Sequence, residues 1–107
     1  MSYDLIVLGT GGIGSAALFS AAQRGMTCLG VDRFAPGHDR GSSHGESRLI
    51  RLAYFEHPQY VPLLRRSYAL WDELDPSLLQ RSGVFYFGQE HGPILGGVQA
   101  SAELHSL

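Results

Sequence analysis

Two clusters of residue types in this 107-residue sequence could do chemistry. The first is Gly9-Thr10-Gly11-Gly12-Ile13-Gly14, followed eighteen residues later by an acid, Asp32. Glycine spaced in this way lets a main chain close around an anion. Gly9 permits a tight turn, Gly11 lets a pyrophosphate approach the backbone, and Gly14 lets a helix pack closely on a strand. A helix opening at this turn adds free N–H groups and a positive partial charge. Asp32 can accept hydrogen bonds from ribose hydroxyls, and its charge repels a 2′-phosphate, which disfavours NADP. Gly12 and Ile13 belong to the same turn, and Arg33 to the same ribose end. The fingerprint alone does not separate FAD from NAD, and its bland alternative is a glycine-rich turn with a solvated acid.

The second cluster is Gly41-Ser42-Ser43-His44-Gly45-Glu46-Ser47-Arg48-Leu49-Ile50-Arg51-Leu52-Ala53-Tyr54. Arg48 and Arg51 stand among apolar residues, which sets them apart from ordinary surface charges. A guanidinium stays charged and forks onto carboxylates and phosphates, so a buried one needs an anion. Glu46, a ligand carboxylate or a cofactor could each supply it. From chemistry alone, a functional arginine and a structural ion pair are equally good readings.

The elements that position these clusters are legible in part. Residues 3–8 form a short apolar run of the kind buried on both faces of a parallel sheet. Residues 15–24 read as a helix stopped by Gly25, and residues 27–32 as a second strand. Strand, glycine turn, helix and strand make a βαβ unit. Residues 34–45 read as a long loop, a common home for function. Residues 46–55 are undecided between helix and strand. Residues 60–74 are an amphipathic helix with Val61, Leu64, Tyr68 and Trp71 on its core face, Pro62 in its first turn and Asp75-Pro76 at its end. Residues 83–88 read as a strand bounded by glycines. Residues 95–107 read as the start of a helix that is still uncapped at its end.

Composition narrows the classes. Net charge is −2, with 10 acids against 8 bases. That argues against a nucleic-acid binder, which needs a basic surface. The single cysteine, Cys28, leaves no disulfide framework, and it reads as a small core residue. Glycine is high, 14 of 107 residues, against about 7% in ordinary proteins. No apolar run approaches the ~20 residues of a membrane span, and the N-terminus lacks a signal-peptide pattern. The expectation is a cytoplasmic, monomeric protein without a metal site. His38, His57, His91 and His105 read as solvent-exposed, and Arg65-Arg66 as a solvated helix face. Leu5, Ile6, Val7, Leu8, Leu29 and Val31 need more covering than two βαβ strands, one later strand and three helices supply. The expectation is therefore an N-terminal segment of a longer protein.

The second cluster, with Tyr60-Val61-Pro62-Leu63 and Leu70-Trp71-Asp72-Glu73-Leu74 after it, closely resembles the monomeric sarcosine oxidase and N-methyltryptophan oxidase family. These are FAD-dependent amine oxidases of the D-amino-acid-oxidase-like superfamily. The family pattern reads Gly-Ser-His-His-Gly-Asp-Thr-Arg-x-Ile-Arg-x-Ala-Tyr. Here Ser43 replaces the first His, Glu46 the Asp and Ser47 the Thr, while His44, Arg48, Arg51 and Tyr54 match. Arg81-Ser82-Gly83-Val84 resembles the family's strand entering the substrate domain.

The resemblance implies a Rossmann-like α/β fold, with residues 1–80 in a FAD-binding domain and 81–107 opening a substrate domain. It implies pyrophosphate at Gly9, Gly11, Gly12, Ile13 and Gly14, and the adenosine ribose on Asp32. It implies Ser42, Ser43 and His44 beside the isoalloxazine ring, Arg48 close to the flavin, and Arg51 on the carboxylate of an N-alkylated amino acid. His44, Arg48 and Arg51 are then the candidate catalytic residues. The implied reaction is oxidation of a secondary amine to an imine, with O₂ reduced to H₂O₂. The competing readings are a catalytically inactive dinucleotide-binding chain and an NAD-dependent dehydrogenase.

Overall fold

The computed structural model describes residues 2–107, which form two compact units, residues 2–48 and 49–107. The first unit is β1 (Leu5–Leu8), α1 (Gly12–Gln23) and β2 (Cys28–Val31). The strands pair in parallel, with Leu5 opposite Cys28 and Leu8 opposite Val31. Gly9 N–H extends the ladder to Val31 O at 2.8 Å, and Asp4 N–H donates to Thr27 O at 2.9 Å. This is the βαβ unit expected from the sequence.

One boundary differs in a way that bears on function. α1 begins at Gly12, inside the glycine run, three residues before the start read from side-chain pattern. Glycine has poor helix propensity, but a side chain at Gly14 would lie 1.8 Å from Gly9 O. Only glycine there lets the first turn of α1 rest on the end of β1. Gly9 itself takes φ +94°, a conformation open to glycine at no steric cost.

The second unit contains α2 (Tyr60–Leu74), a short 3₁₀ turn (Pro76–Leu78) and α3 (Pro93–His105). Val61 on α2 is fully buried, Leu64 and Tyr68 are half-buried, and Trp71 is exposed, contrary to its expected place in the core. The Asp75 carboxylate accepts Ser77 N–H at 2.8 Å, which starts the 3₁₀ turn and lowers the Asp75 pKa. α3 is capped after all. Ser106 turns left-handed at φ 53°, and Leu107 N–H donates back to Ala102 O at 3.0 Å.

Residues 46–55, undecided in sequence, are neither helix nor strand. Hydroxyls satisfy three of their carbonyls: Tyr68 donates to Ile50 O at 3.0 Å, Tyr86 to Ala53 O at 2.8 Å, and Ser101 to Tyr54 O. Residues 83–88 carry no ladder, so the expected strand is not formed. A strand is defined by a partner's backbone, and none among the described residues pairs with this run. Phe85 and Phe87 stand 87% and 82% exposed. Among the described residues, no helix is long and apolar enough to cross a membrane.

Candidate functional site

In the first unit, the glycine turn and the loop after β2 enclose a cavity of about 350 Å³. Its walls are Thr10, Gly11, Gly12 and Ser15 on one side, and Gly37, His38, Gly41, Ser43, His44 and Gly45 on the other. Helix N-termini leave their first N–H groups without intrahelical partners, and α1 opens in this wall. Among the described residues, no carboxylate lines it. Hydroxyls, imidazoles and backbone amides at a positive helix end favour an anion.

Asp32 is placed at the mouth of the turn, but its carboxylate is turned toward protein. Thr10 N–H donates to Oδ2 at 2.6 Å and Thr10 Oγ1 at 3.2 Å, while Phe34 N–H donates to Oδ1 at 3.1 Å. His38 Nε2 lies 3.5 Å from Oδ1. These donors, the Thr10 amide foremost, hold the Asp32 pKa down at about 2. Asp32 therefore clamps the glycine turn to the end of β2. Beside it, the guanidinium groups of Arg33 and Arg40 lie over the Phe34 ring at 5.6 and 5.8 Å.

The loop wall is braced from within. Arg48 donates to Ser42 O at 2.7 Å, to Ser47 O at 2.9 Å and to His44 O. Gly45, at φ +151°, leaves the room this guanidinium occupies; a Cβ there would lie 2.3 Å from Nη1. Ser43 Oγ reaches across to accept Gly12 N–H at 2.9 Å.

In the second unit, Arg51 is half-buried, its guanidinium 4.7 Å from the Tyr54 ring centre and 5.7 Å from that of Phe55. One Nη donates to Glu56 at 3.2 Å, and Nε is buried without a partner. Burial pushes the nearby Tyr86 phenol up, against the pull of the Arg51 charge.

The structure thus brings together Gly11, Gly12, Ser43 and His44 in one cavity wall, with Arg48 and Ser42 behind it. Gly9 and Gly14 shape the turn, and Ile13 is 90% exposed. Arg51 belongs to the other unit. Sequence reasoning passed over Thr10 and His38. His38 is half-buried rather than solvent-exposed, because it packs edge-on against Phe34 at 5.1 Å and faces Asp32. Its signal was its place in the loop directly after the acid. His105 is likewise half-buried, in the last turn of α3. Arg65 is not simply solvated, since it donates to His105 O at 2.7 Å.

A βαβ unit with an anion-suited glycine turn defines a dinucleotide-binding protein, and comparison with known proteins narrows that class. Residues 4–105 match the DAO family, FAD dependent oxidoreductase. The chain belongs to this family, whose cofactor is FAD. It is 45% identical over 111 aligned residues to N-methyl-L-tryptophan oxidase of Yersinia pestis (strain Pestoides F), and equally to that of Yersinia pseudotuberculosis serotype O:1b (strain IP 31758). All of this chain is covered, against 30% of each relative, so it spans about a third of their length. The glycine turn suits the diphosphate of the family's cofactor, since Gly11 and Gly12 line the cavity without side chains of their own. A Cβ on Gly12 would meet Ser43 Oγ at 3.0 Å and one on Gly11 at 3.5 Å, so the bare glycines let the Ser43 side chain approach the turn.

Proposed function

We propose that the protein is a FAD-dependent oxidase acting on the secondary amine of an N-alkyl or cyclic amino acid. Bound FAD would supply the redox chemistry, accepting a hydride equivalent from the carbon beside the amine nitrogen and passing the electrons to O₂ as H₂O₂. The chain's residues bind and orient. Gly11, Gly12 and the start of α1 would hold the pyrophosphate, with Asp32 fixing the turn that presents them. Ser42, His44 and Arg48 form or brace the loop wall of the same site. Residues 1–80 would belong to the FAD-binding domain and 81–107 to the start of the substrate domain.

The observation that carries the substrate class is Arg51. Its guanidinium is fixed against Tyr54, and its buried Nε has no acceptor. A substrate carboxylate would fork onto the Nη groups of this planar guanidinium in place of Glu56. The likeness to N-methyl-L-tryptophan oxidase supports an N-methyl amino acid as the first substrate to test.

Arg51→Ala in the protein as expressed from its own gene tests this. KM for an N-methyl amino acid should rise at least tenfold, the scale of one lost charge-assisted contact, with flavin content unchanged. Equal loss of flavin and substrate would remove the carboxylate role. A protein that shows a flavin spectrum but yields no peroxide from N-methyl or cyclic amino acids would be the inactive binding chain instead.

A further inference from the structure

Among residues 83–88, Tyr86 alone is half-buried; Phe85 and Phe87 on either side of it stand exposed. Its hydroxyl donates to Ala53 O at 2.8 Å, across thirty-three residues of chain. Tyr68 and Ser101 hold the carbonyls of Ile50 and Tyr54 in the same way. Arg51 therefore sits in a stretch without regular structure whose backbone is tied before and after it by side-chain hydroxyls. Tyr86 differs from the other two because it also faces the side chain of Arg51. Burial pushes its phenol above the usual value, the Arg51 charge pulls it back, and the Glu56 charge adds to the rise. A phenol so raised keeps its proton, and that proton is committed to Ala53. Toward the guanidinium it can offer only lone pairs.

We infer that Tyr86 is a positioning residue for Arg51, tying the backbone at Ala53 and fixing the guanidinium edge that receives a substrate carboxylate. The inference rests on the reading of Arg51 given above and adds to that site a group that acts on the substrate only through Arg51. A guanidinium forks onto a carboxylate only when its plane is correctly turned. An arginine side chain that is free to rotate loses entropy when a ligand fixes it. Here the Tyr54 and Phe55 rings lie 4.7 and 5.7 Å from the guanidinium, and both side chains follow directly on the residue that Tyr86 ties. With that backbone held, Arg51 and its flanking rings are set before the carboxylate arrives, which is preorganisation. Removing the hydroxyl should therefore weaken the ground-state hold on the carboxylate and leave the chemical step alone.

A double-mutant cycle in the flavin-loaded protein, expressed from its own gene, tests this. Wild type, Tyr86→Phe, Arg51→Ala and the double variant are assayed with N-methyl-L-tryptophan, sarcosine and pipecolate. Tyr86→Phe removes one oxygen and leaves the ring in place. It should raise KM about threefold to tenfold, the scale of one hydrogen bond, with kcat and flavin content at wild-type values. Added to Arg51→Ala, it should change KM no further. Hydrogen exchange in Tyr86→Phe should quicken in residues 51–55 and stay at the wild-type rate in α2 and α3, which shows that the unit is still folded. An unchanged KM in Tyr86→Phe overturns the inference. So does a KM rise of the same size in the Arg51→Ala background, which would make the hydroxyl a general structural tie. Arg51→Ala with a wild-type KM, or wild type that yields no peroxide from any of the substrates, would instead remove the Arg51 reading, and the Tyr86 role with it.

Discussion

The Asp32 carboxylate accepts the Thr10 amide at 2.6 Å, twenty-two residues away along the chain. One acid thereby joins the end of β2 to the middle of the glycine turn, and a second bond to the Thr10 hydroxyl closes the clamp. The position of the turn's backbone amides depends on this contact as well as on the glycines themselves. A residue that the sequence marks as a ribose acceptor is also a structural tie.

Asp32→Asn should lower the melting temperature at neutral pH, and the deficit should depend on pH in a definite direction. The folded-state pKa is depressed to about 2, below an unfolded value of about 3.9. A depressed carboxylate stabilises the fold above the unfolded pKa and loses that contribution as pH falls through the folded one. The gap between wild type and Asp32→Asn should be constant above about pH 5 and shrink between about pH 4 and pH 2. Thermal melts across that range measure it. A gap that does not change with pH would mean the clamp acts by shape alone.

Arg48→Lys should loosen the loop wall without unfolding the unit. The three carbonyls that Arg48 reaches, on Ser42, His44 and Ser47, need a planar fork, and an ammonium cannot span them together. Hydrogen exchange in residues 41–47 should quicken, while exchange in β1 and β2 stays at the wild-type rate. Unchanged exchange in the loop would show that the fork does not brace it.

Gly96 and Gly97 are neighbours on α3 with opposite expected responses to alanine. A Cβ at Gly96 meets nothing within 4 Å, so Gly96→Ala should stabilise the protein by about 0.5–1 kcal/mol through helix propensity. A Cβ at Gly97 would lie 2.0 Å from Phe55 O, so Gly97→Ala should destabilise it by about 1–3 kcal/mol through overpacking. Urea denaturation of the two variants decides both. A stabilising Gly97→Ala would mean that α3 does not rest on residue 55.

The sequence by itself determined the βαβ unit, the glycine turn and α2, because each is written in local spacing. Strand alternation, helix periodicity and the positions of Gly9 to Gly14 depend on neighbours a few residues away. Even the family was readable from the residues between Gly41 and Tyr54. Contacts across long separations were decided only by the tertiary structure. Ser43 meets Gly12 across thirty-one residues, and Ser101 meets Tyr54 across forty-seven. No local pattern encodes the path of the loop that brings such pairs together. The same reason explains the differences. His38 is drawn in by Asp32 and Phe34, and residues 83–88 have strand composition without a strand's partner. Residues 46–55 give up regular structure because side-chain hydroxyls from elsewhere take their carbonyls. Local propensity chooses a conformation only where no distant group offers the backbone a better hydrogen bond.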